Sequence, residues 1–173
     1  MSELEFLTWV RSTGLNIAIG IFLIGVIWRL IEIYSIGRKP DLSAPQTRAA
    51  GASGLRTVFR RSLPPPGMMK RSPVSYIGGY AFHIGLAVIV FLYAPHILLI
   101  KNLIGVSWPA LPSSLVHLAT VVTLAAMVLV LVDRINKPVK RFLSTFEDYF
   151  TWTVTFLPVL TGYLTVEHML FPY

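Results

Sequence analysis

Four stretches of this 173-residue chain carry no formal charge: 17 residues between Arg11 and Arg29, 29 between Arg71 and Lys101, 31 between Lys101 and Asp133, and 18 between Asp148 and Glu167. Apolar side chains dominate each, and a helix needs about 20 of them to cross the hydrocarbon of a bilayer. The pattern predicts membrane-spanning helices at residues 15–34, 76–100, 115–132 and 149–166. The expected fold is all-α, an integral membrane helical bundle of four transmembrane helices forming one membrane domain over residues 1–173. Arg29 and Glu32 stand three residues apart in the last turns of the first span, spaced to pair or to reach the interface together. Glu3 and Glu5 precede that span with a single basic residue, and no small-residue cleavage site follows it, so it reads as a span and not as a cleaved leader.

Composition sharpens the picture. Only 13% of the residues are charged and 54% are hydrophobic, whereas a soluble domain carries about a quarter charged residues. A soluble globular domain and a disordered chain are both excluded. The absence of Cys rules out disulfides, thiolate metal sites, Cys-ligated iron–sulfur clusters and covalently attached c-type haem. The net charge of +7 does not point to nucleic acid, because the basic residues collect between apolar spans. Residues 35–75 form a basic loop with eight Lys/Arg against Asp41 alone, and Arg134, Lys137, Lys140 and Arg141 follow the third span. With Arg29, 13 of the 15 basic residues fall on one side, which the positive-inside rule makes cytoplasmic, with both termini outside. Within the loop, residues 55–61 can form a short basic interfacial helix; the loop reads as a solvated segment near anionic lipid, with docking of a cytoplasmic partner at Arg56 to Arg61 as the functional alternative.

All four histidines, His83, His96, His117 and His168, lie in or beside a span. Coordinating groups are costly inside a bilayer and mark functional sites there. His83 sits a few turns inside the cytoplasmic end of the second span and His96 near its outer end, 13 residues on, or about 20 Å along an α-helix. Imidazoles at the two ends of one membrane helix can each ligate a haem, giving two haems stacked across the bilayer. In an unbroken helix the interval leaves the rings about 140° apart, and Pro95 is placed to re-phase the second of them. Gly85 removes bulk beside His83, as a flat macrocycle requires, and Gly78 and Gly79 offer the same. The other reading, in which both histidines merely pack between helices, stays open on these residues.

A six-coordinate haem needs two axial ligands. His117 and His168 are available near His96 on the outer side, but no histidine accompanies His83 on the cytoplasmic side. His168, beside Glu167, is also placed to bind a quinone or a proton. The missing ligand is expected from a fifth helix, supplied by a missing C-terminal segment after the apolar 169–173 stretch or by a second membrane chain.

Phe82-His83-Ile84-Gly85, Ala94-Pro95-His96 and Trp108-Pro109-Ala110-Leu111-Pro112 resemble the respiratory nitrate reductase gamma-subunit family of diheme cytochromes b. Lys137-Pro138, the run from Arg141 to Thr145 and the run from Thr155 to Gly162 extend the likeness over residues 15–173. The resemblance implies five helices holding two haems b, with His83 ligating the cytoplasmic-side haem and His96 the outer one. It implies a subunit of a bacterial-type inner membrane that oxidises quinol and passes electrons to an iron–sulfur subunit and a catalytic subunit on the cytoplasmic side. Arg71 and Arg134 are then candidates to pair with haem propionates, Lys101 to donate to a quinone carbonyl, and the run from Arg56 to Arg61 to contact the iron–sulfur partner.

A haem-free membrane anchor or assembly subunit is the alternative. A small transporter fits less well, because the spans hold no intramembrane acid and no inverted repeat. The threonines of the fourth span are expected to bond backbone carbonyls around Pro158 rather than line a pathway.

Overall fold

In the computed structural model, which describes residues 3–37 and 50–167, every regular element is helical. The chain forms two compact units, Met1–Ser53 and Gly54–Tyr173.

The first unit holds α1 (Glu3–Trp9), a π-helical segment (Val10–Gly14) and α2 (Leu15–Ser35). These join into one helix, Leu4–Ser35, that starts well before the expected span. Thr8 and Ser12 donate to the carbonyls of Leu4 and Thr8 at 2.8 and 2.7 Å. Hydroxyls that back-bond within a helix in this way compete with its regular ladder, and the π segment begins beside them. No described residue of this helix is buried. Arg29 and Glu32 pair on its surface, as their spacing predicts.

In the second unit, α3 (Ala50–Arg61) reaches in from the unit boundary and the short α4 (Met68–Arg71) leads into α5 (Pro73–Leu92). Then come α6 (Ala94–Ile104), α7 (Ser113–Asn136), α8 (Pro138–Leu143) and α9 (Phe146–Val166). Three helices of the described residues are long and apolar enough to cross a membrane: Leu4–Ser35, Pro73–Leu92 and Ser113–Asn136. They fit a membrane-associated protein. Helix α9 is as long, but its threonines, tyrosines and Pro158 make it more polar.

The seam between α5 and α7 is built on small residues, which let two backbones approach where no hydrophobic force separates helix from lipid. Gly78 and Gly85, one heptad apart, are the buried positions of α5, facing Ala126 and Val130 and facing Thr123 respectively. Thr123 is wholly buried and its hydroxyl donates 2.6 Å to the carbonyl of Ala119. A methyl group on Gly85 would overlap that hydroxyl and come within 3.3 Å of the same carbonyl. Gly85 thus sits in the helix seam, and its missing side chain serves α7.

The expected span 76–100 is two helices. Tyr93 is extended (φ −85°, ψ 127°), and α6 begins with Pro95 in its first turn. Pro95 has no N–H for the carbonyl of Phe91; the Trp108 indole donates to that carbonyl instead. Leu111 N–H takes the carbonyl of Leu92 at 2.9 Å. The connector after α6 therefore folds back over the break.

At the basic end, Asp133 is held by Lys137 at 2.8 Å and by Lys140, with Ser75 donating to it from α5 at 3.2 Å. Arg134 pairs with Asp148 at 2.9 Å, the residue that closes the capping box of α9 with Thr145.

Gly85→Val is expected to destabilise the detergent-solubilised protein by about 1–3 kcal/mol, the usual cost of overpacking. Gly79→Ala, whose added carbon meets nothing within 4 Å, is expected to cause no loss of stability. Thermal unfolding of both variants checks the pair.

Candidate functional site

His83 projects from α5 with its Nδ1–H donating 2.7 Å to the carbonyl of Gly79, one turn back. His96, in the first turn of α6, donates from Nδ1 to the carbonyl of Ile89 at 2.8 Å, reaching across the break. A carbonyl oxygen only accepts, so each ring carries a proton on Nδ1, and in a neutral imidazole that leaves Nε2 as the free acceptor. A ring nitrogen bonded to a backbone carbonyl is the arrangement that orients a metal-ligating histidine. Each ring also meets an aromatic edge: Phe82 at 4.8 Å from His83, and Tyr93 at 5.3 Å from His96.

Both histidines line pockets closed by the same two helices. The pocket at His83, about 260 Å³, is walled by Gly78, Gly79 and Phe82 of α5, Met127 and Val130 of α7, and Thr151, Trp152 and Thr155 of α9. The pocket at His96, about 100 Å³, is walled by Val116, His117 and Thr120 of α7 and by Pro158, Gly162 and Tyr163 of α9. The lining positions recur every three or four residues on α7 and on α9, so one face of each helix serves both pockets. With the chain broken at Tyr93 between them, the 140° offset of an unbroken helix (about 100° per residue) does not put α7 and α9 out of reach of either ring.

The other expected residues fall in different places. His117 shares the pocket of His96; its Nδ1 meets Glu167 at 3.2 Å, and Tyr163 lies edge-on to it at 6.3 Å. His168 lies outside the described residues. Gly85 lines neither pocket, because it is occupied by the contact with Thr123. Gly79 is the glycine that leaves open space beside His83. Arg134 is committed to Asp148 and donates 3.0 Å to Ser144, clamping α7 to the start of α9. With Ser75 and Lys140 it lines a further pocket that shares one wall residue, Val130, with the His83 pocket. Arg71 is exposed at the end of α4 and Lys101 in the last turn of α6, and neither lines a histidine pocket. Among the described residues no three His, Cys, Asp or Glu side chains gather into a metal site.

Two wall residues went unnoticed in the sequence. Trp152 stacks on Phe156 at 4.6 Å and donates 3.1 Å to the carbonyl of Met127, fixing α9 against α7 beside His83. Tyr163 takes the matching position near His117. The signal was the stripe at 152, 155, 159, 162 and 163, hidden by the interleaved threonines. Thr153, Thr155, Thr161 and Thr165 each bond the carbonyl four residues back, at 2.7–2.9 Å.

No protein-family model and no solved structure matches the chain. A protein of Nitratidesulfovibrio vulgaris Hildenborough, whose name states no role, is 28% identical over 150 residues, 86% of this chain and 62% of the relative. The chain thus spans about three fifths of that relative's length.

Nitrogen-15 spectra of histidine-labelled protein in bilayers check the tautomers. The expected pattern for His83 and His96 is a protonated Nδ1 with an unprotonated Nε2, or with Nε2 shifted by a bound metal. Protonation of Nε2 alone would contradict the hydrogen bonds to Gly79 and Ile89.

Proposed function

We propose that the chain is a membrane cytochrome b subunit that carries electrons from quinol through two haems b to an iron–sulfur partner, on the lines of a nitrate reductase gamma subunit. The observation that carries this reading is the pair of imidazoles, each bonded through Nδ1 to a backbone carbonyl and each lining a pocket walled by α7 and α9. The donor set fits the group on one side of each site. A neutral imidazole is a sound axial ligand, and the open space at Gly79 leaves room for a flat ring face.

In this reading His83 and His96 hold one haem each; the second ligand at His83 comes from a further helix of the same polypeptide or from a second membrane chain, and at the outer site from one of these or from His168. His117 is the other candidate there. The haems supply one-electron transfer; the chain's own work is ligation, burial and local charge, which tune potential. Arg134 and Lys140 line a neighbouring pocket that shares Val130 with the His83 pocket, each paired with an aspartate, so a haem carboxylate there would join these ion pairs. At the opposite end, the His117–Glu167 pair beside the His96 pocket is the candidate acceptor for a proton released on quinol oxidation. Lys101 is the candidate donor to a quinone carbonyl. Helix α9 forms the fourth span, and the basic end faces the cytoplasm of a bacterial-type inner membrane with its iron–sulfur and catalytic partners.

A haem-free anchor is the second reading. It is favoured by one observation: each imidazole already has a backbone partner, so neither is stranded in lipid without a ligand.

A reduced-minus-oxidised difference spectrum of the purified protein separates the two. A b-type α-band is expected, diminished in His83→Ala and in His96→Ala. A flat spectrum from protein supplied with ample haem and its membrane partners would overturn the proposal.

A further inference from the structure

Helix α3 carries Arg56, Arg60 and Arg61, and no acidic residue occurs anywhere from 50 to 75. At about 100° per residue, Leu55, Val58 and Phe59 fall on one face of its last two turns and the arginines on the other. The three apolar side chains are 65%, 62% and 72% exposed. A helix divided in this way lies in the plane of a membrane interface, apolar face down. The interface is within reach. Ser62, which follows α3, accepts a hydrogen bond from the Tyr80 hydroxyl, two turns into a helix long enough to span. The end of α3 is thereby tied to the first part of that helix. Lys70 and Arg71 add two more cations in the short stretch between.

We infer that α3 is an in-plane anchor that binds anionic phospholipid at the basic end of the bundle, with Leu55, Val58 and Phe59 in the acyl boundary and Arg56, Arg60 and Arg61 on headgroup phosphates. Five cations without a neighbouring acid match an anionic leaflet in charge. The anchor stands independently of any haem.

The absence of native Cys allows single spin labels on the full chain. In nanodiscs of phosphatidylcholine with about one third phosphatidylglycerol, labels on Leu55→Cys and Phe59→Cys are expected to be open to oxygen and shielded from a nickel chelate. A label on Arg60→Cys is expected to behave oppositely, and one on Leu129→Cys, on the spanning helix α7, reports that the bundle has inserted. In pure phosphatidylcholine, or with Arg56→Gln, Arg60→Gln and Arg61→Gln together, the shielding at 55 and 59 is expected to be lost. Nickel access at 55 and 59 equal to that at 60 in the anionic discs overturns the inference. Shielding from both reagents also overturns it, because a protein contact gives that result. Shielding that survives without anionic lipid or without the arginines overturns the recognition of charge.

Discussion

A helix carbonyl that loses its N–H partner must find another donor, and Pro95 leaves one such carbonyl at Phe91. The local structure follows from meeting that demand. The Trp108 indole comes back from the connector to Phe91, Leu111 N–H comes back to Leu92, and the His96 ring reaches over the break to Ile89. The same break separates His96 from the helix that carries His83. A polar side chain that would be costly in lipid is thus oriented by the backbone that the proline disrupts.

Close packing supplies the complementary half. Gly78 and Gly85 bring α5 against α7 on one side, and the indole of Trp152 holds α9 to α7 on another. The histidine pockets lie where these three helices leave space. A cluster of ion pairs fixes the basic end: Asp133 gathers Ser75, Lys137 and Lys140, and Arg134 ties α7 to the capping residue of α9. Each histidine is thus held by a backbone hydrogen bond between packed helices, as a positioned ligand requires. The proposed role in electron transfer depends on that positioning and on a second axial ligand at each site.

Much of this was legible in the chain. The charge-free runs located the long apolar helices, because the cost of charge in hydrocarbon leaves so plain a mark on sequence. The pairing of Arg29 with Glu32, the helix over 55–61 and the threonine back-bonds of α9 were also readable, each being local. Long-range contacts were not. Gly85 looks the same in sequence whether a macrocycle or Thr123 fills the space beside it, and only the fold shows Thr123 there. Arg134 reads as a free cation until Asp148, 14 residues on, is folded back beside it. Pro95 announced a kink, yet the full break at Tyr93 depends on Trp108 and Leu111 arriving to satisfy what it exposes.

The central claim is that two imidazoles of one broken helix present Nε2 to flat iron-bearing groups at two depths of the membrane. A density map of the protein purified with its native membrane partners tests this most directly. The account predicts planar macrocycle density joined to Nε2 of His83 and to Nε2 of His96. Imidazoles that meet only side chains or lipid at both positions would contradict it.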